Sequence, residues 1–268
     1  MSEPNLDILF DLAVTAARAA GEKLRHGASN LRHVTFQDAK DVKLQADQEC
    51  EQLIRRLFAE KGNLPVIGEE EGGDAAWLER NELYWIVDPL DGTSNYLRYN
   101  PGCCVSIGLW RGSEPILGVI YDFNRDELFT GGADRALTLN QQPVTPQWVN
   151  DMRQAVLFTG FPEKFDFSDE RLKAFIADTQ RFKKIRMIGT SALALAYVAV
   201  GRGDVYFEKP IKLWDVAAGL ALIKAAGGAF RRLPIAGKTL AFEIWAGPNI
   251  KWLQHDPLPQ SLHRRDRD

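Results

Sequence analysis

The residues able to do chemistry fall in three short stretches. Asp88-Pro89-Leu90-Asp91-Gly92-Thr93 follows the apolar run Leu83-Tyr84-Trp85-Ile86-Val87, which reads as a buried strand. Two carboxylates three positions apart at a strand end, with a proline between them, occupy a turn and can converge on one point. Gly92 and Thr93 add a tight backbone and amide N–H groups. Carboxylates beside amides suit a hard cation that in turn holds a phosphate. Gly68-Glu69-Glu70-Glu71-Gly72 lies upstream and Trp214-Asp215-Val216-Ala217-Ala218-Gly219 far downstream. Asp215 is expected in the first turn of a helix, whose N-terminus favours an anion and offers amides. Hydrolysis of a phosphate monoester requires a neutralised dianion, a nucleophilic water and a stabilised leaving alkoxide. Divalent cations on carboxylates serve all three. Mg²⁺ takes one or two carboxylates and keeps waters and substrate oxygens as its other ligands. Any one of these acids alone could be a cap or a turn residue. Together with Gly92-Thr93 they imply a metal-dependent phosphomonoesterase.

Positioning such a set requires strands that end at one place and a helix that begins there. Residues 6–25 carry apolar side chains at helical spacing (Ile8, Leu9, Leu12, Ala13, Ala16, Ala20, Leu24), with Asn5 as N-cap. Residues 29–45 lack a clear period and predict an extended loop. A second helix is predicted over 46–61, stopped by Gly62. Strands are predicted at 64–68, 83–88, 103–111, 115–121 and 127–131, with turn signals at 112–114 and 124–126. The second half alternates: strand 155–159, helix 168–181 capped by Ser168, strand 185–188, helix 190–200, strand 204–208, helix 214–226 and strand 229–233. That alternation implies helices packed on a sheet. The chain, 1–268, reads as a single catalytic domain of two packed lobes, about 1–140 (a helix pair plus an antiparallel sheet) and about 141–268 (an α/β lobe), with the boundary near 140–147.

Bulk properties exclude several classes. Hydrophobic residues make up 45% of the chain, enough for a sizeable core. A net charge of −3 and a pI of about 5.9 argue against nucleic acid as a partner. The basic cluster at 263–268 is diluted by acids and reads as a solvated tail. Cys50, Cys103 and Cys104 form no disulfide framework, so a reduced, cytoplasmic compartment is expected, with the thiols as small buried residues. The N-terminus shows no signal-peptide pattern. The apolar run 192–201 is too short to span a bilayer. His26, His33, His255 and His263 have no paired ligand spacing, which disfavours zinc, and no Ser–His–Asp pattern is readable.

Gly68-Glu69-Glu70, Trp85-Ile86-Val87-Asp88-Pro89-Leu90-Asp91-Gly92-Thr93-Ser94-Asn95-Tyr96 and Trp214-Asp215-Val216-Ala217-Ala218-Gly219 resemble the signatures of the inositol monophosphatase family. The order matches, from the first helix to about Asn249. The resemblance implies an α+β fold, layered α/β/α/β/α. It implies a homodimer, two or three Mg²⁺ ions and inhibition by Li⁺. By position, Glu69, Asp88 and the Leu90 carbonyl would hold the activating metal, and Asp88, Asp91 and Asp215 the second. A third, weaker ion would sit near Glu69. Thr93 and Asp47 would take a proton from the attacking water, and the Gly92 and Thr93 amides would bind phosphate. Read without the resemblance, Asp47 is an ordinary residue at a helix start. Glu208 matches a contact to substrate hydroxyls. Gly189 and Thr190 match a turn near the substrate, or else a simple helix cap. Lys212 could touch phosphate or polar substrate. Glu70 reads as a supporting acid.

The chain departs from the family in the stretch Asp41-Val42-Lys43-Leu44-Gln45-Ala46-Asp47, where a Val-Thr pair is common. The family's loop lysine lies further upstream, so Lys40 or Lys43 is the substitute. Haloacid dehalogenase-type phosphatases place their two acids two residues apart and leave Glu69 and Asp215 unexplained. Ser94-Asn95-Tyr96 is closer to the inositol-type Thr-Asn-Phe than to the Lys-Glu-Phe of bisphosphate nucleotidases. Inositol monophosphate is therefore the favoured substrate, ahead of adenosine 3′,5′-bisphosphate, fructose 1,6-bisphosphate, histidinol phosphate and NADP. A regulatory binding protein on the same fold is the non-enzyme alternative.

Overall fold

The computed structural model describes residues 4–27, 31–37, 42–61, 64–161 and 165–248. Lys40 and the 263–268 tail lie outside them. Helix α1 (Leu6–His26) opens at Asn5, whose side chain accepts the Asp7 amide at 2.8 Å. Its buried face, Leu9, Leu12, Ala13, Ala16, Ala17, Ala20 and Leu24, is rich in alanine and lets it lie close to α2 (Gln45–Lys61). Between them, where a loop was predicted, β1 (Val34–Gln37) pairs antiparallel with β2 (Val42–Leu44). Short strands with polar residues leave no periodic signal to read.

The first sheet has seven strands in the order β3-β4-β5-β6-β7-β8-β9. They are β3 (Val66–Gly68), β4 (Leu83–Asp91), β5 (Cys104–Arg111), β6 (Glu114–Asp122), β7 (Glu127–Gly132), β8 (Arg135–Leu139) and β9 (Gln142–Pro143). Only β3 and β4 are parallel. A run of apolar residues covers both faces. Trp85, Val87, Val105, Ile107, Val119 and Tyr121 meet α1 and α2, while Tyr84, Ile86, Cys104, Trp110, Ile120 and Phe129 face the molecule's centre.

That centre is a layer of two helices, α5 (Ser191–Ala199) and α6 (Leu213–Ala225), apolar all round because a sheet covers each side. The approach of α6 to the first sheet is tight: a Cβ on Gly118 would lie 2.2 Å from the Ala218 carbonyl oxygen. The second sheet runs β11-β10-β12-β14-β13. Its members are β10 (Val156–Thr159), β11 (Lys184–Arg186), β12 (Val205–Lys212), β13 (Ala229–Pro234) and β14 (Ala241–Gly247). Phe158, Tyr206, Ile244 and Ala246 face α5 and α6; Leu157, Val205, Phe207 and Trp245 form a smaller cluster with Phe182 on the other face. Helix α4 (Asp169–Thr179) precedes Phe182. The fold is a layered α+β sandwich.

Strands β8, β9 and β14 and the one-turn α3 (Thr93–Leu97) have no counterpart in the sequence reading, and β4 continues through Asp91 instead of stopping at Asp88. Ser168 stands at the start of α4, but its hydroxyl donates to Asp166 at 3.1 Å and makes no capping bond. All three cysteines are buried free thiols. Among the described residues no helix is long and apolar enough to cross a membrane.

Candidate active site

In a regular strand, residues three apart point to opposite faces. Asp88 and Asp91 escape this through a bulge: β4 takes three steps from Asp88 to Asp91 while β5 takes two, from Ser106 to Cys104. The extra residue brings both carboxylates to one side. Asp88 Oδ1 accepts the Leu90 amide at 3.0 Å. Gly92 follows at φ +89°, and a Cβ there would lie 2.6 Å from the Gly102 carbonyl oxygen, so only glycine fits. Thr93 then starts α3. Its hydroxyl lies 3.0 Å from Asp47 Oδ1 and 3.1 Å from the Leu90 carbonyl oxygen, one proton shared between two acceptors.

Asp47 and Asp215 are held alike. Each is the third residue of its helix, and each accepts the backbone N–H of the residue before that helix: Leu44 to Asp47 at 2.8 Å, Lys212 to Asp215 at 3.2 Å. A first-turn acid thus fills an orphan donor while its helix dipole favours its charge. Asp91 is gripped from a third helix, accepting the Thr190 hydroxyl at 2.5 Å and the Ala192 amide at 2.6 Å at the start of α5.

Glu69 follows β3, in the turn closed by the Gly68–Gly72 bridge. Residues that the sequence reading passed over shape this turn. Fully buried Glu51 of α2 accepts the Glu70 and Glu71 amides at 2.8 and 3.1 Å, and Arg55 pairs with Glu51 at 2.8 Å while donating to the Gly72 carbonyl at 3.0 Å. A Cβ on Gly68 would meet Glu51 Oε1 at 2.2 Å. The helical i, i+4 spacing of Glu51 and Arg55 was the available signal. Lys43 reaches this turn, pairing with Glu70 at 2.8 Å, while Lys40 lies outside the described residues.

The electrostatics are those of a site short of positive charge. Burial, then the charges of Glu69, Asp91 and Asp215, holds Asp88 well above the usual carboxylate range. Burial, then Glu69 and Asp91, does the same to Asp215. Glu69 is pushed up to about 8 by burial and by Asp47 and Glu70, against Lys43. Burial lifts Asp91 to about 6 against its hydrogen bonds, and lifts Asp47 to about 7. Glu69 raises the proton affinity of Asp88 through its charge, a repulsion that a cation between them would relieve. All the donors are hard oxygens, which fits Mg²⁺. Among the described residues no three His, Cys, Asp or Glu side chains are placed to hold one metal ion as they stand.

Beyond the acids, buried Glu208 accepts the Ser191 hydroxyl at 3.2 Å and is pushed by burial to about 8. Gly189 adopts φ +73° just before Thr190, the N-cap of α5. Lys212 is exposed, its ammonium 5.3 Å from the Trp214 ring centre. The structure therefore links Asp47 to Thr93, and Thr190 to Asp91, by direct hydrogen bonds. Glu69, Asp88, Asp91 and Asp215 interact through their charges, and Lys212 stands at the rim.

The chain is similar to known proteins over nearly its whole length. The model of the inositol monophosphatase family matches residues 5–249. A protein named Nus factor SuhB from Xylella fastidiosa is 39% identical over 236 residues, 85% of this chain and 82% of its own length. Inositol monophosphatase 3 of Solanum lycopersicum is 34% identical, over 84% of this chain and 85% of its own. The solved inositol monophosphatase of Anabaena superposes with a TM-score of 0.78 at 33% identity, covering 93% of this chain and 94% of that one.

Proposed function

The chain belongs to the inositol monophosphatase family, and from that premise we propose that it hydrolyses a small phosphate monoester, with inositol monophosphate as the favoured substrate. Glu69, Asp88, the Leu90 carbonyl, Asp91 and Asp215 would hold the metal, and a third ion near Glu69 follows from the resemblance alone. Bound Mg²⁺ supplies charge neutralisation, an acidified water and a stabilised leaving oxygen. The protein's own part is positional. The Thr93 hydroxyl passes a proton toward Asp47, whose elevated affinity for protons suits a base near neutrality. The Gly92 and Thr93 amides orient the phosphate. Glu208, with Ser191 behind it, accepts hydroxyls of the alcohol, Gly189 and Thr190 wall that side, and Lys212 borders the entrance.

The observation that carries this reading is the 3.0 Å bond from Thr93 to Asp47, a pair 46 positions apart that the fold brings together beside the acidic cluster. The test is phosphate release from inositol 1-phosphate, adenosine 3′,5′-bisphosphate, fructose 1,6-bisphosphate, histidinol phosphate and NADP, with Mg²⁺ and with chelator. Mg²⁺-dependent preference for the inositol ester is expected; preference for another ester overturns the substrate assignment.

The 39% identity to a protein named a Nus factor favours a second reading, a regulatory binding role on the same fold. Retention of a cellular phenotype by an Asp91→Asn variant without phosphatase activity would support it. A cytoplasmic homodimer completes the proposal. Phe161, Phe167, Ile176, Ile185 and Met187 are exposed around edge strand β11 and offer the surface for a second copy, which mass photometry would detect.

A further inference from the structure

The catalytic turn and the substrate-side turn belong to different halves of the chain, and Asn95 ties them together beside the direct Thr190–Asp91 bond. The Asn95 amide nitrogen lies 2.6 Å from the Gly102 carbonyl oxygen, 2.9 Å from that of Ile188 and 3.3 Å from that of Gly189. Three acceptors face it, so the group turned toward them must be the NH₂, with two hydrogens for two strong bonds and a weaker shared one. The space is reserved for it. A Cβ on Gly102 or on Gly189 would each lie 3.0 Å from this nitrogen. Asn95 sits in the single turn of α3 that begins with Thr93. On its other side, Gly189 leads directly into Thr190, whose hydroxyl and helix hold Asp91. The connection closes on itself: Asp91, Thr93, Asn95, the 188–189 backbone, Thr190 and back to Asp91.

We propose that Asn95 is a positioning residue that registers the 188–190 turn against the Asp91-Gly92-Thr93 turn, and through Thr190 fixes the Asp91 carboxylate in its metal-binding orientation. The proposal rests on the reading of Asp91 as a metal ligand. Asn95 itself touches neither metal nor substrate in it. Partners that orient a metal ligand are typically worth about 10- to 100-fold in metal affinity.

Two variants of the full chain test this, with two measurements that need no turnover. Asn95→Ala removes the donor. Asn95→Asp puts a carboxylate against the same three carbonyls, except where it is protonated and can donate again. Hydrogen–deuterium exchange of metal-free protein is expected to show faster exchange at residues 188–193 in Asn95→Ala, with α1 and the first sheet unchanged. Calorimetric titration with Mg²⁺ is expected to show affinity weakened about tenfold in Asn95→Ala and further in Asn95→Asp. The Asp variant should regain exchange protection at 188–193 as pH falls through the carboxyl range, which lost packing alone would not produce. Unchanged exchange at 188–193 overturns the clamp. Faster exchange there with unaltered Mg²⁺ affinity overturns the link to Asp91 and leaves Asn95 a loop staple. Should the wild-type chain bind Mg²⁺ and lose that affinity in the variants, yet release phosphate from no ester, the phosphatase reading fails while the role of Asn95 stands.

Discussion

Strands β3 and β4 lie side by side and run parallel, with β3 ending opposite Val87 and β4 running on to Asp91, yet the backbones of their two acidic turns are built on opposite plans. The β4 turn sets its own backbone through a bulge, the left-handed Gly92 and the bond from the Thr93 hydroxyl to the Leu90 carbonyl, while Thr190 and Ala192 hold only the Asp91 side chain from outside. The β3 turn is shaped from outside, its amides seated on Glu51 and its last carbonyl on Arg55. A self-shaped turn writes its geometry into consecutive residues. A borrowed one hides it 17 to 20 positions away in an unrelated helix.

The largest expected effects come from the β4 turn. Asp88→Asn or Asp91→Asn should each lower phosphate release at saturating Mg²⁺ by more than about 100-fold, the scale of losing a directly acting group, with circular dichroism unchanged. Next, Gly92→Ala and Gly68→Ala should separate the two plans. Both should lower stability by about 1–3 kcal/mol in urea titration. Glu51→Asp, which shortens that side chain but keeps its carboxylate, should recover part of the Gly68→Ala loss, because that clash is with a side chain. No side-chain change should restore Gly92→Ala, because it meets the Gly102 backbone. Equal rescue of both would break the comparison.

Smaller still, Glu51→Gln should raise the Mg²⁺ concentration for half-activation about tenfold, measured as an activation curve. The pH behaviour of metal-free protein follows from the acids. Glu69 and Glu208 hold protons up to about 8, far above the ordinary glutamate value, so between about 4.5 and about 8 the folded chain binds more protons than the unfolded chain. Stability should therefore fall as pH rises through that window, read as a declining Tm, and Mg²⁺ should flatten the decline by replacing the protons at Glu69. Lys212→Ala, at the exposed rim, should shift stability by less than about 0.5 kcal/mol.

The same contrast decides what the sequence disclosed. Asp88, Asp91, Thr93 and the apolar strand before them were readable because local spacing sets their geometry. Helices α1 and α2 were readable within a few residues because their buried stripes repeat, and α5 and α6 because each is an apolar run of helical length; the one-turn α3 left no such pattern. Asp47 was visible only through the family resemblance, since a first-turn acid is ordinary until a hydroxyl from 46 positions away is seen against it. Glu51 and Arg55 were missed because the turn they shape lies on another element. The β1–β2 pairing was missed because strands of four and three residues carry little periodicity, whereas β14, apolar but for Glu243, carried a strand-like run that went unread.

The most direct test of the whole account is phosphate release from inositol 1-phosphate by wild-type protein, Thr93→Ser and Thr93→Val, each with Mg²⁺ and with chelator. The account predicts Mg²⁺-dependent turnover by wild type, largely kept by the serine variant that retains the hydroxyl bridging to Asp47, and lost by the valine variant. Turnover by Thr93→Val equal to wild type, or release that persists undiminished in chelator, would contradict it.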